Sequence, residues 1–260
     1  ALVLLDDIAS RRPISRRTIR ARFDAALIRM ERGETAEALA AFESIVREHP
    51  DHGQARRSLR LLLEARPRDE QLALVRVLFE VLRESDLGDD LLTREAEILV
   101  ERGDRDGGMR VYERIVELYP YPRGERWDDS LWRLADLAQE GGDHRGAIRY
   151  LHEMVEPHSL SIAPGSHTLE RMPRAGLRIA RIYRDELDDP ERAAESFRRM
   201  VEEFVRSNLR DDALYELGAM WLDRGRTGEG CSVLREVLAQ FEVGHPRRRA
   251  AARVTEEWSE

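Results

Sequence analysis

The chain has 260 residues, and its 42% apolar content is enough for the core of one large domain or two small ones. Charged residues make up 36%, which suits long amphipathic helices, and the net charge of −8 argues against nucleic-acid binding, because a polyanion needs a basic surface. The single cysteine, Cys231, excludes an intrachain disulfide and a cysteine-based metal cluster, and no apolar run reaches the roughly 18–20 residues that cross a bilayer.

Apolar residues recur at three- and four-residue steps along most of the chain, as in 59–65, 72–82, 95–101 and 131–138. No convincing stretch alternates with a period of two. Prolines separate these runs: Pro13, Pro50, Pro67, Pro120, Pro157, Pro164, Pro173, Pro190 and Pro246. The pattern predicts an all-α chain of helices about a dozen residues long with short connections.

Four segments, 24–50, 94–120, 133–156 and 216–241, share one plan. Each has a small residue, a glycine seven positions later, a second small residue after five more, and a bulky residue after another four. The sets are Ala26, Gly33, Ala38 and Phe42; Ala96, Gly103, Gly108 and Tyr112; Ala135, Gly142, Ala147 and Leu151; and Gly218, Gly225, Gly230 and Leu234. The plan predicts two closely packed helices joined at a glycine in the left-handed conformation.

This plan resembles the tetratricopeptide repeat, a helix–turn–helix of 34 residues. Two divergent copies complete a set of six: one at about 53–86 has Arg60 at a small position and Pro67 near the turn, and a fifth carries Ala180, Tyr183, Ala193 and Phe197. The resemblance implies a right-handed superhelical solenoid over 19–244, with an insertion at 157–173. We expect residues 1–18 to flank the array and 245–260 to form a capping helix.

The segment 197–225 also resembles repeats of bacterial envelope proteins, namely outer-membrane assembly lipoproteins and TolA-binding periplasmic proteins. The matching positions are Ser207, Asp212, Ala213, Leu217 and Gly218, while Val205 replaces a proline. This resemblance implies a role in an envelope complex. Location stays open between cytoplasm and periplasm.

Motifs that would indicate catalysis or the binding of a phosphate or metal are weak. Gly225, Gly228 and Gly230 stand in RGRTGEG, but a phosphate loop follows a strand, and here a helical run precedes the glycines. His152 and Glu156 have a spacing that suits a metal, yet no HExxH motif or thiol accompanies them, so surface side chains are the preferred interpretation. Cys231 is expected to be a buried, inert thiol. We therefore predict no enzyme, no cofactor and no metal.

The resemblance implies that a partner protein or peptide lies along a concave groove lined by the first helix of each repeat. Carried over by position, the groove residues are Phe23, Leu27, Met30, Thr93, Glu97, Val100, Trp132, Asp136, Gln139, Arg181, Arg184, Tyr215, Ala219 and Leu222. Trp132 and Tyr215 are the expected anchors, because large aromatics often anchor interfaces. The alternative is that both rings pack against the neighbouring repeat.

An arginine cluster near the N-terminus is a second candidate surface, consisting of Arg11, Arg12, Arg16, Arg17, Arg20 and Arg22. It suits electrostatic docking of an acidic partner, an anionic lipid surface or nucleic acid, and the alternative is the solvated face of a first helix. The sequence thus favours a non-enzymatic interaction scaffold, as a subunit of a larger assembly. The alternative is a regulatory or targeting module of a larger enzyme, with 157–173 as a ligand loop.

Overall fold

The structure, a computed structural model, describes residues 1–11, 14–156, 168–241, 249, 250, 252 and 253, with backbone alone for 168–170. Within these residues the chain forms helices and no strand, which confirms the all-α prediction. The helices are α1 (Leu2–Ser10), α2 (Arg16–Glu31), α3 (Thr35–Glu48), α4 (Gly53–Glu64), α5 (Arg68–Leu82), α6 (Gly88–Glu101), α7 (Arg105–Leu118), α8 (Trp127–Glu140), α9 (His144–Val155), α10 (Thr168–Asp185), α11 (Pro190–Glu203), α12 (Arg210–Asp223) and α13 (Thr227–Gln240). None of these described helices combines the length and apolar character that a membrane span requires.

The chain divides into two compact units, Ala1–Ser130 (unit 1) and Leu131–Glu260 (unit 2), with the boundary inside α8. In unit 1, α2 packs on α1 and α3, α3 packs on α4, and α6 packs on α5 and α7. In unit 2, α10 packs on α9 and α11, and α12 packs on α11 and α13. We call α2, α4, α6, α8, α10 and α12 the first helices, because each opens a helix pair.

Four corners, each joining the two helices of one pair, have the same geometry. Gly33, Gly103, Gly142 and Gly225 have φ values of 79°, 83°, 78° and 72°, in the left-handed region that glycine enters without a steric penalty. After each glycine, the next backbone N–H donates to the carbonyl oxygen five residues back, at 2.9 Å in all four corners. This bond satisfies a carbonyl that the end of the helix leaves unpaired. RGRTGEG is therefore a helix corner, as the sequence predicts.

The predicted small residues lie where two helices approach closely. The alanines at these positions, Ala26, Ala38, Ala96, Ala135 and Ala147, are fully buried. The bulky residues Phe42, Tyr112, Leu151 and Leu234 are also buried and fill the core of their helix pairs. At Gly230 an added Cβ would lie 2.6 Å from Leu222 Cδ2, so only glycine fits at the present helix separation.

The divergent repeat formed by α4 and α5 turns without a glycine. Arg60 is exposed, whereas Ser58 is fully buried, so the small residue stands two positions before the one that the 34-residue period predicts. Pro67 precedes the first residue of α5, and Gln71 Nε2 donates to the Arg66 carbonyl at 2.7 Å. Arg66 Nη1 donates to the Leu62 carbonyl at 2.6 Å, so a side chain supplies a bond to the last turn of α4.

The repeat formed by α10 and α11 uses aspartates at its turn. Asp188 adopts a positive φ of 46° in place of glycine, and the Asp189 carboxylate accepts the Arg192 N–H at 3.0 Å to cap α11. Helix α10 begins at Thr168, so residues 168–173 of the predicted insertion belong to a helix, with Met172 fully buried. The rest of that insertion, 157–167, lies outside the described residues.

The two ends of the chain are also helical where they are described. Residues 249, 250, 252 and 253 are helical, and the other residues of the predicted cap lie outside the described part. At the N-terminus, α1 is tied to α2 by Arg29, whose Nη2 lies 2.8 Å from both carboxylate oxygens of Asp6. Helix α2 starts at Arg16 behind a capping box formed by Ser15 and Thr18, three residues before the predicted start of the array.

Candidate binding grooves

The groove of unit 1 lies between the first helices α4 and α6 and has a volume of about 790 Å³. Six arginines and three acids line it. They are Arg56, Arg57, Arg60, Arg68, Arg94 and Arg126, with Glu64, Asp90 and Glu97. Leu59 and Leu63, each 5% exposed, contribute its apolar surface. The groove thus has three more positive than negative side chains, on a chain whose net charge is −8.

Asp90 and Asp89 fix one end of this groove. The two carboxylate oxygens of Asp90 lie 2.6 Å from Arg56 Nε and 2.6 Å from Arg126 Nη2, and Arg56 Nη1 lies 2.6 Å from Glu125. Asp89 accepts the backbone N–H groups of Glu125 at 2.9 Å and Arg126 at 3.1 Å. Burial, and then the charge of Asp90, raises the pKa of Asp89. These contacts hold the segment that enters α8.

The groove of unit 2 lies between α10 and α12 and has a volume of about 740 Å³. Arg181, Arg184, Tyr215 and Ala219 line it together with Glu216. The Glu216 carboxylate lies 2.5 Å from Arg181 Nη2 and 2.9 Å from Arg184 Nη1. Burial alone would raise the pKa of Glu216, but the two arginines outweigh burial and lower it. The wall of this groove is a compact ion-pair cluster.

Residues of the C-terminal helical segment reach the same groove. The guanidinium carbon of Arg249 lies 4.2 Å from the centre of the Tyr215 ring, and Arg249 Nη2 lies 3.8 Å from Asp212. Arg253 Nη2 pairs with Asp223 at 2.7 Å. The chain therefore covers part of Tyr215 with its own arginine.

A third cluster joins α8 to α10 around Arg178. Its guanidinium carbon lies 4.9 Å from the centre of the Trp132 ring, Nη1 lies 2.7 Å from Asp136 Oδ1, and Nη2 donates to Gln139 Oε1 at 2.9 Å. The side chains of Arg178 and Asp136 are only 20% and 25% exposed. Arg178 thus contacts three side chains of α8: Trp132, Asp136 and Gln139.

A family model described as tetratricopeptide repeat matches residues 20–52, 129–156 and 174–207. These segments cover most of the helix pairs α2–α3, α8–α9 and α10–α11. These three segments are tetratricopeptide repeats. The corners at Gly103 and Gly225 fall outside the matched segments but share the hydrogen bond and φ of the matched ones.

The chain is similar to several solved structures. BtubC (BKLC) from P. vanneervenii is 12% identical with a TM-score of 0.52, over 87% of this chain and 94% of that one. YrrB, described as a TPR protein with an unusual peptide-binding site, is 13% identical with a TM-score of 0.47, over 83% and 98%. MamA from Desulfovibrio magneticus RS-1 is 14% identical with a TM-score of 0.43, over 71% and 91%. No curated protein matches the sequence.

The first helices of unit 1 bring two of the predicted groove residues together. Thr93 and Glu97 line the groove between α4 and α6. The prediction for Phe23 is wrong, because this ring is fully buried and packs on Phe42, with 5.5 Å between ring centres. The predicted residues Leu27, Met30 and Val100 are half-buried and do not line the groove. The side chain of Val100 packs beside Gly108 instead.

In unit 2 the predicted residues divide between the two clusters. Arg181, Arg184, Tyr215 and Ala219 line the α10–α12 groove, and Trp132, Asp136 and Gln139 surround Arg178. The prediction for Leu222 is wrong, because this side chain is only 7% exposed and lies against Gly230. Both expected anchors, Trp132 and Tyr215, are half-buried and lie under arginines, and their role as anchors stays a prediction.

The N-terminal arginines are partly occupied by nearby acids. Arg11 pairs with Asp7 at 2.7 Å, Arg20 lies 3.7 Å from Asp24, and Arg22 lies 3.3 Å from Glu48. Arg16 and Arg17 are exposed on α2, and Arg12 lies outside the described residues. Arg11, Arg20 and Arg22 thus have acids nearby, and electrostatic docking by the arginine cluster stays a prediction.

The sequence reasoning missed the arginines of α4. Arg56, Arg57 and Arg60 belong to a repeat whose small position and turn are irregular, so position alone did not place them in a groove. The signal was the composition of 56–60, which holds three arginines and no acid.

Proposed function

We propose that this chain is a non-enzymatic scaffold that holds a segment of another protein against the first helices of its repeats. The observation that carries the proposal is the groove of unit 1, where successive first helices present charged and polar side chains along one open surface. An open groove with separate contact points suits an extended segment, as in other peptide-recognition surfaces. A recess for a small molecule is instead usually enclosed and mostly apolar.

The two grooves have different parts in this proposal. The groove of unit 2 already contacts Arg249, and its acid, Glu216, is paired with two arginines. The groove of unit 1 has arginines that remain exposed. The groove of unit 1 is therefore the proposed primary binding surface. A place in an envelope complex, inferred from 197–225, stays a prediction.

Site-specific photo-crosslinking tests the proposal. A photoreactive amino acid is placed at Thr93 in the groove of unit 1 and, separately, at Ala219 in the groove of unit 2. Matched controls carry it at Arg110 on α7 and Arg145 on α9. Both residues are exposed on the second helix of their helix pair. In source cells, Thr93 is expected to capture a defined protein that neither control captures. The same products from all four positions, or none from Thr93, would refute the scaffold.

A further inference from the structure

The arginines in the groove of unit 1 differ in what already neutralises them. Arg56 and Arg126 share Asp90, and Arg94 pairs with Glu97 at 2.8 Å. Charges that are paired in this way are poorly available to a ligand, because a new partner must displace the old one. The groove's excess of positive charge therefore resides on its other arginines.

Arg57 and Arg60 are the two most available positive charges on α4. Both are exposed and lie three residues apart, on one side of the helix. Arg60 Nε lies 3.8 Å from Glu64, and both side chains of this pair are more than 60% exposed, so their attraction is weak. Arg57 has no carboxylate within ion-pair distance among the described residues.

A comparison within the molecule makes the state of Arg57 informative. Its guanidinium carbon lies 4.9 Å from the centre of the Phe23 ring, as that of Arg178 does from Trp132. Arg178 also binds a carboxylate, that of Asp136. Stacking orients a guanidinium and leaves its N–H donors free for a bidentate carboxylate. Arg57 is thus positioned like Arg178 but lacks the acid that completes that cluster.

We propose that the groove of unit 1 binds an acidic segment of a partner protein, whose carboxylates pair with Arg57 and Arg60. This inference rests on the proposed scaffold function and names the chemistry of its partner. A polypeptide fits better than a nucleic acid, because Glu64, Asp90 and Glu97 interrupt the positive surface and would repel a continuous row of phosphates.

The test measures binding of short fluorescent peptides to the full chain by anisotropy, at low and at physiological salt. The probes are a peptide alternating Glu and Leu, its counterpart with Gln for Glu, and a single-stranded DNA of similar charge. The variant Arg57→Glu/Arg60→Glu is compared with Arg110→Glu/Arg145→Glu, which changes the net charge equally on second helices. Helicity and the thermal midpoint check that each variant folds, and Arg57→Gln/Arg60→Gln provides a milder change.

We expect the Glu–Leu peptide to bind wild type and the control variant alike, and the groove variant roughly tenfold or more weakly, with the glutamine variant between them. Its affinity should fall with salt, and the Gln–Leu peptide should bind weakly. Equal binding to both charge-reversal variants, or DNA binding as strong and as dependent on Arg57 and Arg60, would overturn the proposal. If the peptide fails while Thr93 still captures a defined protein, the acidic partner is wrong and the scaffold function stands.

Discussion

Three glycines within six residues, Gly225, Gly228 and Gly230, permit a sharp test of the repeat corner. The same substitution, Gly→Ala, is expected to act in opposite directions at neighbouring sites. Gly225 is the corner residue with φ of 72°, Gly228 lies in the first turn of α13, and Gly230 faces α12. A flexible loop that cradles a ligand would not separate the three glycines in this way.

The structure gives a magnitude for each site. Gly225→Ala places a Cβ in the left-handed region, which costs about 1–2 kcal/mol. Gly228→Ala meets no atom within 4 Å, so the gain from a less flexible unfolded chain should stabilise the fold by about 0.5–1 kcal/mol. Gly230→Ala puts its Cβ 2.6 Å from Leu222 Cδ2 and 2.9 Å from the Gly218 carbonyl, and such overpacking costs about 1–3 kcal/mol.

Urea unfolding followed by helical circular dichroism measures these effects. Because repeat arrays can unfold in stages, the midpoint and the slope are compared for each variant. We expect Gly225→Ala and Gly230→Ala to lower the midpoint and Gly228→Ala to raise it. A Gly225→Ala chain as stable as wild type would refute the corner geometry, and equal destabilisation at all three sites would indicate a loop that needs every glycine.

Three further predictions concern the polar clusters. Arg178→Ala should destabilise the chain by about 2 kcal/mol, because it removes the stack on Trp132 and leaves the half-buried carboxylate of Asp136 without its closest partner. Arg174 is exposed on the same helix, so Arg174→Ala should change stability by under about 0.5 kcal/mol. Denaturant midpoints compare the two variants. The pKa of Glu216 is lowered, so its ion pairs stabilise the fold above pH 4.5, and that contribution is lost as the pH falls through the folded-state pKa. Glu216→Gln should therefore be less stable than wild type at neutral pH. Thermal midpoints measured across pH should show this difference shrinking in acid. Asp89→Ala should lower the stability by about 1–3 kcal/mol, because two backbone N–H groups lose their acceptor. Asp89→Asn keeps an oxygen and removes a charge whose burial is unfavourable, so it should retain most of the stability in the same unfolding assay.

The repeat could be predicted from the sequence because its signals are local. A corner glycine and the small residues on either side of it lie within one helix pair, and their spacing follows from helix geometry. The α4–α5 turn was not predictable in the same way, because side chains hold it: Arg66 donates to the Leu62 carbonyl, and Gln71 donates to the Arg66 carbonyl. Asp188 likewise adopts a glycine conformation that no spacing rule assigns to an aspartate.

The groove was predicted only in part, for a geometric reason. Residues three before and four after the small residue of a first helix lie on the same face as that residue. Phe23 stands three before Ala26 and is buried with it, and Leu222 stands four after Gly218 and packs on Gly230. The set of groove positions taken from the repeat pattern therefore includes both side chains buried in the core of a helix pair and side chains on the open surface.

The arginine stacks explain why the remaining aromatics are covered. Trp132 stands three before Ala135 and Tyr215 three before Gly218, the position that Phe23 has in α2. Each ring meets an arginine from a later helical segment: Arg57 of α4 on Phe23, Arg178 of α10 on Trp132 and Arg249 on Tyr215. Residues far apart in sequence make these contacts, so no local pattern reveals them.

The recurrence of this stack bears on the C-terminal segment. In the first two cases the arginine belongs to the first helix of a following repeat, so the stack reports how one first helix lies on another. Arg249 makes the same contact with α12 at 4.2 Å, and Arg253, one turn later, pairs with Asp223 at the end of α12. The described C-terminal residues therefore contact α12 as a further first helix would. These two contacts partly close the α10–α12 groove, and we expect the groove of unit 1 to be the surface where an outside acid supplies what Arg57 lacks.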